Sequence, residues 1–431
     1  MGRGVPTNGY PSAMRLPLAR FSIFLIFLLA ACRDAPHRAA GPLRQEAYVW
    51  QRSWTPAVQE SVRQAKDFAG VVVLAAEADL RGPAPQVVRV PLDGEALRAS
   101  GRPVGAAVRA TAFPGRFADD PRLVRLLQDV VQDVAAEARR QGISLSEVQI
   151  DYDCPESKLE DYRDLLPALR KAASPVPLTI TVLPTWIRQR RAFRELIQAA
   201  DGYVLQLHSL VLPEKAGERV TLIEPRSAQG WAEEAARFRR PFRAALPTYG
   251  YEVVFDARGK PLGVLAEGLL LSWSPDVTVR TVRSDPKAMA GLIHGWTRDR
   301  PAELAGVLWY RLPVVGDRLN WTWPTLRAVM TGRAPRAELR AVSRHPEPGL
   351  VEVDLLNAGE AEAAWPSPVR IRWDGEAPSA ADGLAVYQIG SADRSEVRLK
   401  RSGAGRLRPG ERRTIAWLRF ATPTEVRVEL P

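Results

Sequence analysis

From residue 47 onward, short apolar runs with strand character alternate with longer amphipathic stretches. The runs fall at 47–52, 70–77, 104–110, 147–153, 177–183, 202–208, 243–249 and 305–311. Between them the apolar period lengthens to that of a helix. After Asp120-Pro121, for example, Leu123, Leu126, Leu127, Val130, Val131 and Val134 share one face, and Gly142 can close the C-terminus. The aspartate suits an N-cap and the proline the first helical position. Helical patterns also occupy 157–173, 187–200, 228–239 and 285–298. Eight strands joined by helical crossovers predict an α/β fold, a (β/α)8 TIM barrel. A doubly wound sheet is the alternative, but no Gly-rich phosphate loop follows the first strand. Residues 251–284 are long for a connection between strand and helix. With Asp256-Ala257-Arg258-Gly259 as a turn, they predict a small β excursion over the barrel mouth.

Near residue 336 the pattern changes to period two. Val351, Val353 and Leu355 alternate with polar residues, and Val369-Arg370-Ile371-Arg372-Trp373, Val397-Arg398-Leu399 and Val426-Arg427-Val428 repeat the alternation without helices. This predicts a small all-β sandwich of Ig-like size. The expected division is a leader over 1–31, a cysteine and tether over 32–45, a barrel over 46–334 and a sandwich over 335–431.

The leader bears on compartment and charge. Arg15 and Arg20 precede an apolar run from Phe21 to Ala31, too short to span a bilayer but suited to a signal-peptide core. It ends in Leu29-Ala30-Ala31-Cys32, which resembles the lipobox of bacterial lipoproteins. That resemblance implies lipidation of Cys32 and an exported chain, anchored to the cell membrane or outer membrane and facing periplasm or exterior. An ordinary cleaved signal peptide with an incidental Cys32 is the plainer reading. Beyond the leader, 57 basic side chains stand against 49 acidic ones, a charge of +8. The excess is spread without a Lys/Arg block, which argues against nucleic acid as a partner. With Cys32 committed to lipid, Cys154 is left alone, so no internal disulfide is expected. Its parity makes it a buried small apolar residue rather than a nucleophile.

A barrel of this kind carries its chemistry where the strands end. On the fourth strand Val148, Ile150 and Tyr152 suit the helix layer, while Gln149, Asp151 and Asp153 point inward. Two carboxylates at i and i+2 lie about 6.5–7 Å apart along the backbone, so at least one should hold its proton more tightly unless a cation intervenes. A purely structural role, bonding to neighbouring strands and loops, is the alternative. The same reasoning delivers Glu77, Arg109, Gln206, His208, Tyr249, Trp309 and Arg311 to one rim. Trp50 and Trp54 flank the end of the first strand, Trp186 follows the fifth, and Trp321 and Trp323 follow the eighth. Flat rings at a barrel mouth stack on sugar faces, although loop packing accounts for some of them. With four histidines and no ligand-spaced motif, no metal or other cofactor is implied.

Some of these segments resemble known families. Ile150-Asp151-Tyr152-Asp153 resembles the D-x-x-D-x-D-x-E fourth-strand signature of family 18 glycoside hydrolases, the chitinase barrels. Pro247-Thr248-Tyr249-Gly250-Tyr251 is similar to their P-x-Y-G segment, and Gly306-Val307-Leu308-Trp309 to their eighth-strand segment ending in tryptophan. The family's first Asp falls on Val148 and its acid/base Glu on Pro155, with Glu156 one place late. The whole chain resembles the domain-of-unknown-function family 3142, through Tyr48-Val49-Trp50-Gln51-Arg52, the Gln149-to-Pro155 segment and Gln206-Leu207-His208-Ser209. These resemblances imply a glycoside-hydrolase-like protein acting on a polysaccharide or oligosaccharide. Asp153 would be its acid/base, with Asp151 as electrostatic partner or Glu77 completing an acid–nucleophile pair. Gln149, Gln206, His208, Tyr249, Arg109, Trp309, Arg311 and Trp50 would hold the sugar. A non-catalytic carbohydrate-binding or scaffold lipoprotein is the alternative, and a metal-dependent deacetylase a more distant one. The sequence leaves the oligomeric state open.

Overall fold

Continuous runs of valine, alanine and leucine suit strands buried on both faces, and eight of them pair in parallel. They are β1 (Arg44–Val49), β2 (Val71–Asp79), β3 (Val104–Ala110), β4 (Leu145–Tyr152), β5 (Leu178–Val182), β6 (Gly202–Gln206), β7 (Phe242–Pro247) and β8 (Leu304–Tyr310). Each lies beside its sequence neighbours. The ring closes where β8 pairs with β1, Gly306 opposite Arg44, and β1 pairs with β2, Ala47 opposite Val71. A helix follows every strand: α1 (Pro56–Arg63), α2 (Gly94–Ser100), α3 (Pro121–Arg140), α4 (Leu159–Ala173), α5 (Arg190–Ala199), α6 (Pro225–Ala236), α7 (Pro286–Arg298) and α8 (Trp323–Met330). The fold is a (β/α)8 barrel, as the alternation predicts. The computed structural model describes residues 1–2, 37–82, 84–209, 212–215, 217–218, 220–267 and 276–431. Cys32 lies outside the described residues.

Local chemistry sets the helix starts. The Asp120 side chain accepts from the backbone N–H of Arg122 and Leu123 and caps α3, satisfying donors that would otherwise have no partner. Apolar faces of the helices cover the outer side of the strands, where Val148, Ile150 and Tyr152 sit. Inside the barrel, Tyr48, Val72, Ala107, Val204, Ala245 and Leu308 form one apolar layer.

Below that layer the floor of the barrel is polar. The Arg243 guanidinium reaches Glu46 at 2.5 Å and Glu147 at 2.6 and 2.8 Å, and Thr179 donates to Glu147 at 2.6 Å. Room for Glu147 comes from Gly105: a Cβ there would lie 2.8 Å from the glutamate's Cγ. The floor ties β1, β4, β5 and β7 together and seals that end of the barrel.

Two features depart from expectation. Residues 38–45 are not a free tether. Arg38–Ala39 pairs with Arg300–Pro301, the Gly41 amide bonds to Thr297 O, and Arg44 already belongs to β1. The strand Gln86–Arg89, not foreseen, adds to β2 as an antiparallel hairpin. The β excursion is present. Gly250–Phe255 pairs with Pro261–Leu265 across the Asp256 turn and with Thr278–Arg283 on its other side.

The C-terminal domain is a sandwich of two four-stranded antiparallel sheets. Val351, Val353 and Leu355 from one sheet meet Ile371, Trp373 and Leu399 from the other in its own core. It is joined to the barrel by Arg333, which holds Glu360 with two 2.5 Å bonds, and by Arg408, which donates to Asp317 O and, at 2.8 Å, to Asn320 O. Both domains lie within one compact unit, Arg38–Pro431.

Candidate active site at the barrel mouth

The inward parity of β4 carries Glu147 to the floor, Gln149 to the middle and Asp151 and Asp153 to the mouth. Gln149 is fully buried and donates to the Tyr48 hydroxyl at 2.8 Å, while its Oε1 has no partner among the described residues. Above it, Asp151 keeps partial exposure toward the mouth and accepts from Thr181 Oγ1 at 2.6 Å. Burial pushes the Asp151 carboxyl upward. The Thr181 hydrogen bond opposes this, the nearby Asp153 charge adds to it, and Arg109 opposes it. Asp153 is half-exposed and 3.3 Å from the Arg109 guanidinium. Its neighbour thus differs from it in solvation and in charge contacts, the arrangement that separates proton holder from charged partner.

Glu77 reaches the rim through an irregularity in β2. The register with β3 shifts between Leu74 and Ala76, which turns Glu77 inward opposite Arg109. Its carboxylate is clamped by Arg52 through two bonds of 2.5 and 2.9 Å. A carboxylate held in a bidentate ion pair is poorly placed to act as nucleophile.

Rings wall the opposite side. Trp50 stands edge-on to Tyr48 and to Tyr310, with centroids 5.2 and 5.4 Å apart, and Tyr310 stacks on His208 at 5.4 Å and meets Tyr249 at 5.3 Å. The Tyr249 hydroxyl lies 3.4 Å from His208 Nδ1, and Gln206 donates to His208 O at 3.3 Å. Burial lowers the His208 imidazole to about 3, so it is neutral at ordinary pH and serves as a hydrogen-bonding group rather than a cation. Burial likewise raises the phenols of Tyr48, Tyr249 and Tyr310.

The mouth therefore gathers Asp151, Asp153, Glu77, Arg109, Gln206, His208, Tyr249 and Trp50, with Gln149 beneath. Two expected members are elsewhere. Trp309 points into the helix layer, fully buried against Trp321, and its indole N–H bonds to Gln45 at 2.8 Å. Arg311 is turned to the loop after β8, where Asp317 holds it at 2.7 Å. The inward position on β8 belongs to Tyr310. Leu304 to Trp309 is apolar nearly throughout, so the sequence offered no period-two signal to set which face is which. Tyr48, Thr181 and Arg52 were also missed, although Tyr48 shares its parity with Trp50. Trp186 and Trp323 are packing residues. Cys154 is buried as expected, and burial pushes its thiol up to about 12. Val148 lies in the helix layer and Pro155 is exposed just beyond the strand.

Fold and site together define a (β/α)8 barrel with paired aspartates at its mouth and a C-terminal β-sandwich. The chain belongs to the family described as Domain of unknown function (DUF3142), whose model matches residues 100–315. A second Domain of unknown function (DUF8456) matches residues 340–421, within the sandwich. Among curated proteins no sequence matches the chain. Similar solved structures include the spore cortex-lytic enzyme SleL of Bacillus megaterium QM B1551, at 13% identity over 69% of this chain and 75% of that one, with a TM-score of 0.48. A chitinase from Chromobacterium violaceum ATCC 12472 is 15% identical over 67% and 98%, with a TM-score of 0.42. The GH18 chitinase ChiB of Flavobacterium johnsoniae is 12% identical over 68% and 94%, also at 0.42. The barrel assignment rests on the chain's own strand pairing.

Proposed function

We propose that this protein is an exported, lipid-anchored glycoside hydrolase acting on a polysaccharide at its barrel mouth. The observation that carries the reading is the unequal pair of aspartates facing a wall of rings. Asp151, desolvated and bonded to Thr181, is the proton holder, and Asp153 beside Arg109 is the charged partner. This exchanges the roles that the chitinase signature implies. Asp151 protonates the glycosidic oxygen as the bond to the anomeric carbon breaks. Water attacks that carbon and gives its proton to Asp153, which leaves Asp151 ionised and Asp153 protonated until the two exchange a proton with solvent. Trp50 and Tyr310 supply flat faces for the sugar, and Gln206, His208 and Tyr249 supply hydrogen bonds.

The soluble chain from Arg38 tests this against a panel of envelope and exopolysaccharide glycans, with mass spectrometry for released fragments and pull-down for binding. Cleavage by wild type, lost in Asp151→Asn and Asp153→Asn while binding persists, supports the assignment. Cleavage by Asp151→Asn at the wild-type rate refutes it. A second reading is favoured by Pro155 at the chitinase acid position and by the clamp on Glu77: a carbohydrate-binding barrel without turnover. Binding by wild type and both variants with no fragment released selects that reading.

A further inference from the structure

Four arginines fall within the seven residues 188–194, and the fold adds Arg237 and Arg38 to them on one wall of the barrel. Arg188, Arg190, Arg191 and Arg194 are all exposed along the turn Pro184–Arg188 and α5. They face α6 across a seam. The Arg188 guanidinium lies 5.8 Å from the Trp231 ring centre, and those of Arg190 and Arg194 lie 5.5 and 5.6 Å from that of Phe238. Both rings are half-buried. Arg237 and Arg38 extend the cationic surface along α6, where they bond to Glu234 and Glu233. Among the described residues Glu195, Glu233, Glu234 and Asp299 pair with four of these six arginines, and Glu195 is shared with Arg163 of α4. Arg188 and Arg194 form no ion pair among the described residues.

Stacking holds the guanidiniums in place without neutralising them, so little side-chain entropy remains to be lost when they meet an anion. Half-exposed aromatic rings set among arginines are also the composition of a surface that rests at a lipid headgroup layer, rings inward and cations toward phosphate. The point of entry of the chain agrees. Arg38, the first residue of the compact unit, bonds to Glu233 of α6 and to Asp299, each at 2.6 Å. The compact unit therefore begins beside this wall.

We propose that the α5–α6 wall docks on anionic phospholipid headgroups and orients the barrel on its membrane. This proposal does not depend on the glycan reading, and its test involves no glycan. Residues Arg38–Pro431 contain the complete barrel and sandwich cores and can be tested without the leader. The measurement is co-sedimentation with vesicles of phosphatidylcholine, with and without phosphatidylglycerol, across a salt series. Binding is expected only when phosphatidylglycerol is present and is expected to weaken with salt. At about a fivefold contribution per surface arginine, Arg188→Gln/Arg194→Gln weakens it about thirtyfold. Arg122→Gln/Arg125→Gln, the same charge change on exposed α3 positions, leaves it unchanged. Equal binding to both vesicle types, salt-independent binding, or equal losses in the two double variants overturns the proposal. Retention on duplex DNA without vesicle binding also overturns it.

Discussion

Asp151→Asn separates the function of the site from its stability, because the two are expected to move in opposite directions. Asparagine keeps the shape and still accepts from Thr181, but removes a carboxyl whose ionised form is disfavoured by burial and by Asp153. If Asp151 is the proton donor, turnover falls by about 10²–10⁴-fold, or about 3–5 kcal/mol of barrier. Stability rises instead. Relief of strain at a functional site commonly contributes about 0.5–2 kcal/mol, on the order of 1–6 °C in Tm for a barrel of this size. The pH dependence fixes the cause. With a folded-state pKa above the unfolded value of about 3.9, the native carboxyl binds more protons than the unfolded one. Wild-type stability therefore falls as pH rises through the window between those two values. The destabilisation is absent at more acid pH and fully present above the window. Melting curves of both proteins across pH should coincide below about pH 4 and separate above it, with the variant higher. A variant that melts lower at neutral pH, or by the same margin at every pH, would refute the reasoning, as would unchanged turnover.

Arg109→Gln removes a cation that favours ionised Asp151, so the alkaline limb of any activity profile should move to higher pH; a limb that stays or moves down contradicts this. Arg243→Met leaves Glu147 buried without a cation, while Glu46 keeps Arg44 at 3.0 Å, and should cost about 3–5 kcal/mol in urea unfolding. The triple variant with Glu46→Gln and Glu147→Gln should regain most of that loss, and a loss below about 1 kcal/mol would show that the floor is not a desolvated pair. Tyr310→Ala should weaken glycan binding by about tenfold through its lost ring contacts. Trp309→Phe should lower the Tm while leaving binding intact, and reduced binding in Trp309→Phe with a normal Tm would reverse the facing assigned to β8.

All eight barrel strands and the sandwich were legible in the sequence, because alternation of strand and helix and the later change to period two are local patterns written in every few residues. On β4 even the facing could be read, since Gln149, Asp151 and Asp153 alternate with apolar residues and have one energetically acceptable side. Where both faces are apolar that information vanishes. Leu308 and Trp309 are equally suited to interior and helix layer, and only closure of the ring against β1 and β7 turned Tyr310 inward. The register shift in β2, which brings Glu77 beside Arg109, depends on pairing with β3 and has no local signature. The ion pairs tell the same story. Arg52 with Glu77, Arg109 with Asp153, and Arg243 with Glu46 and Glu147 join residues 25, 44, 197 and 96 positions apart. The arginine wall is mixed: residues 188–194 hold four of its members in sequence, and the fold adds Arg38 and Arg237. Sequence by itself determined the elements and the donors of the chemistry, whereas contacts between distant elements decided which carboxyl is desolvated, which is clamped and which rings share the mouth. Burial and charge pairing are properties of neighbours in space, and those neighbours exist only once the barrel has closed.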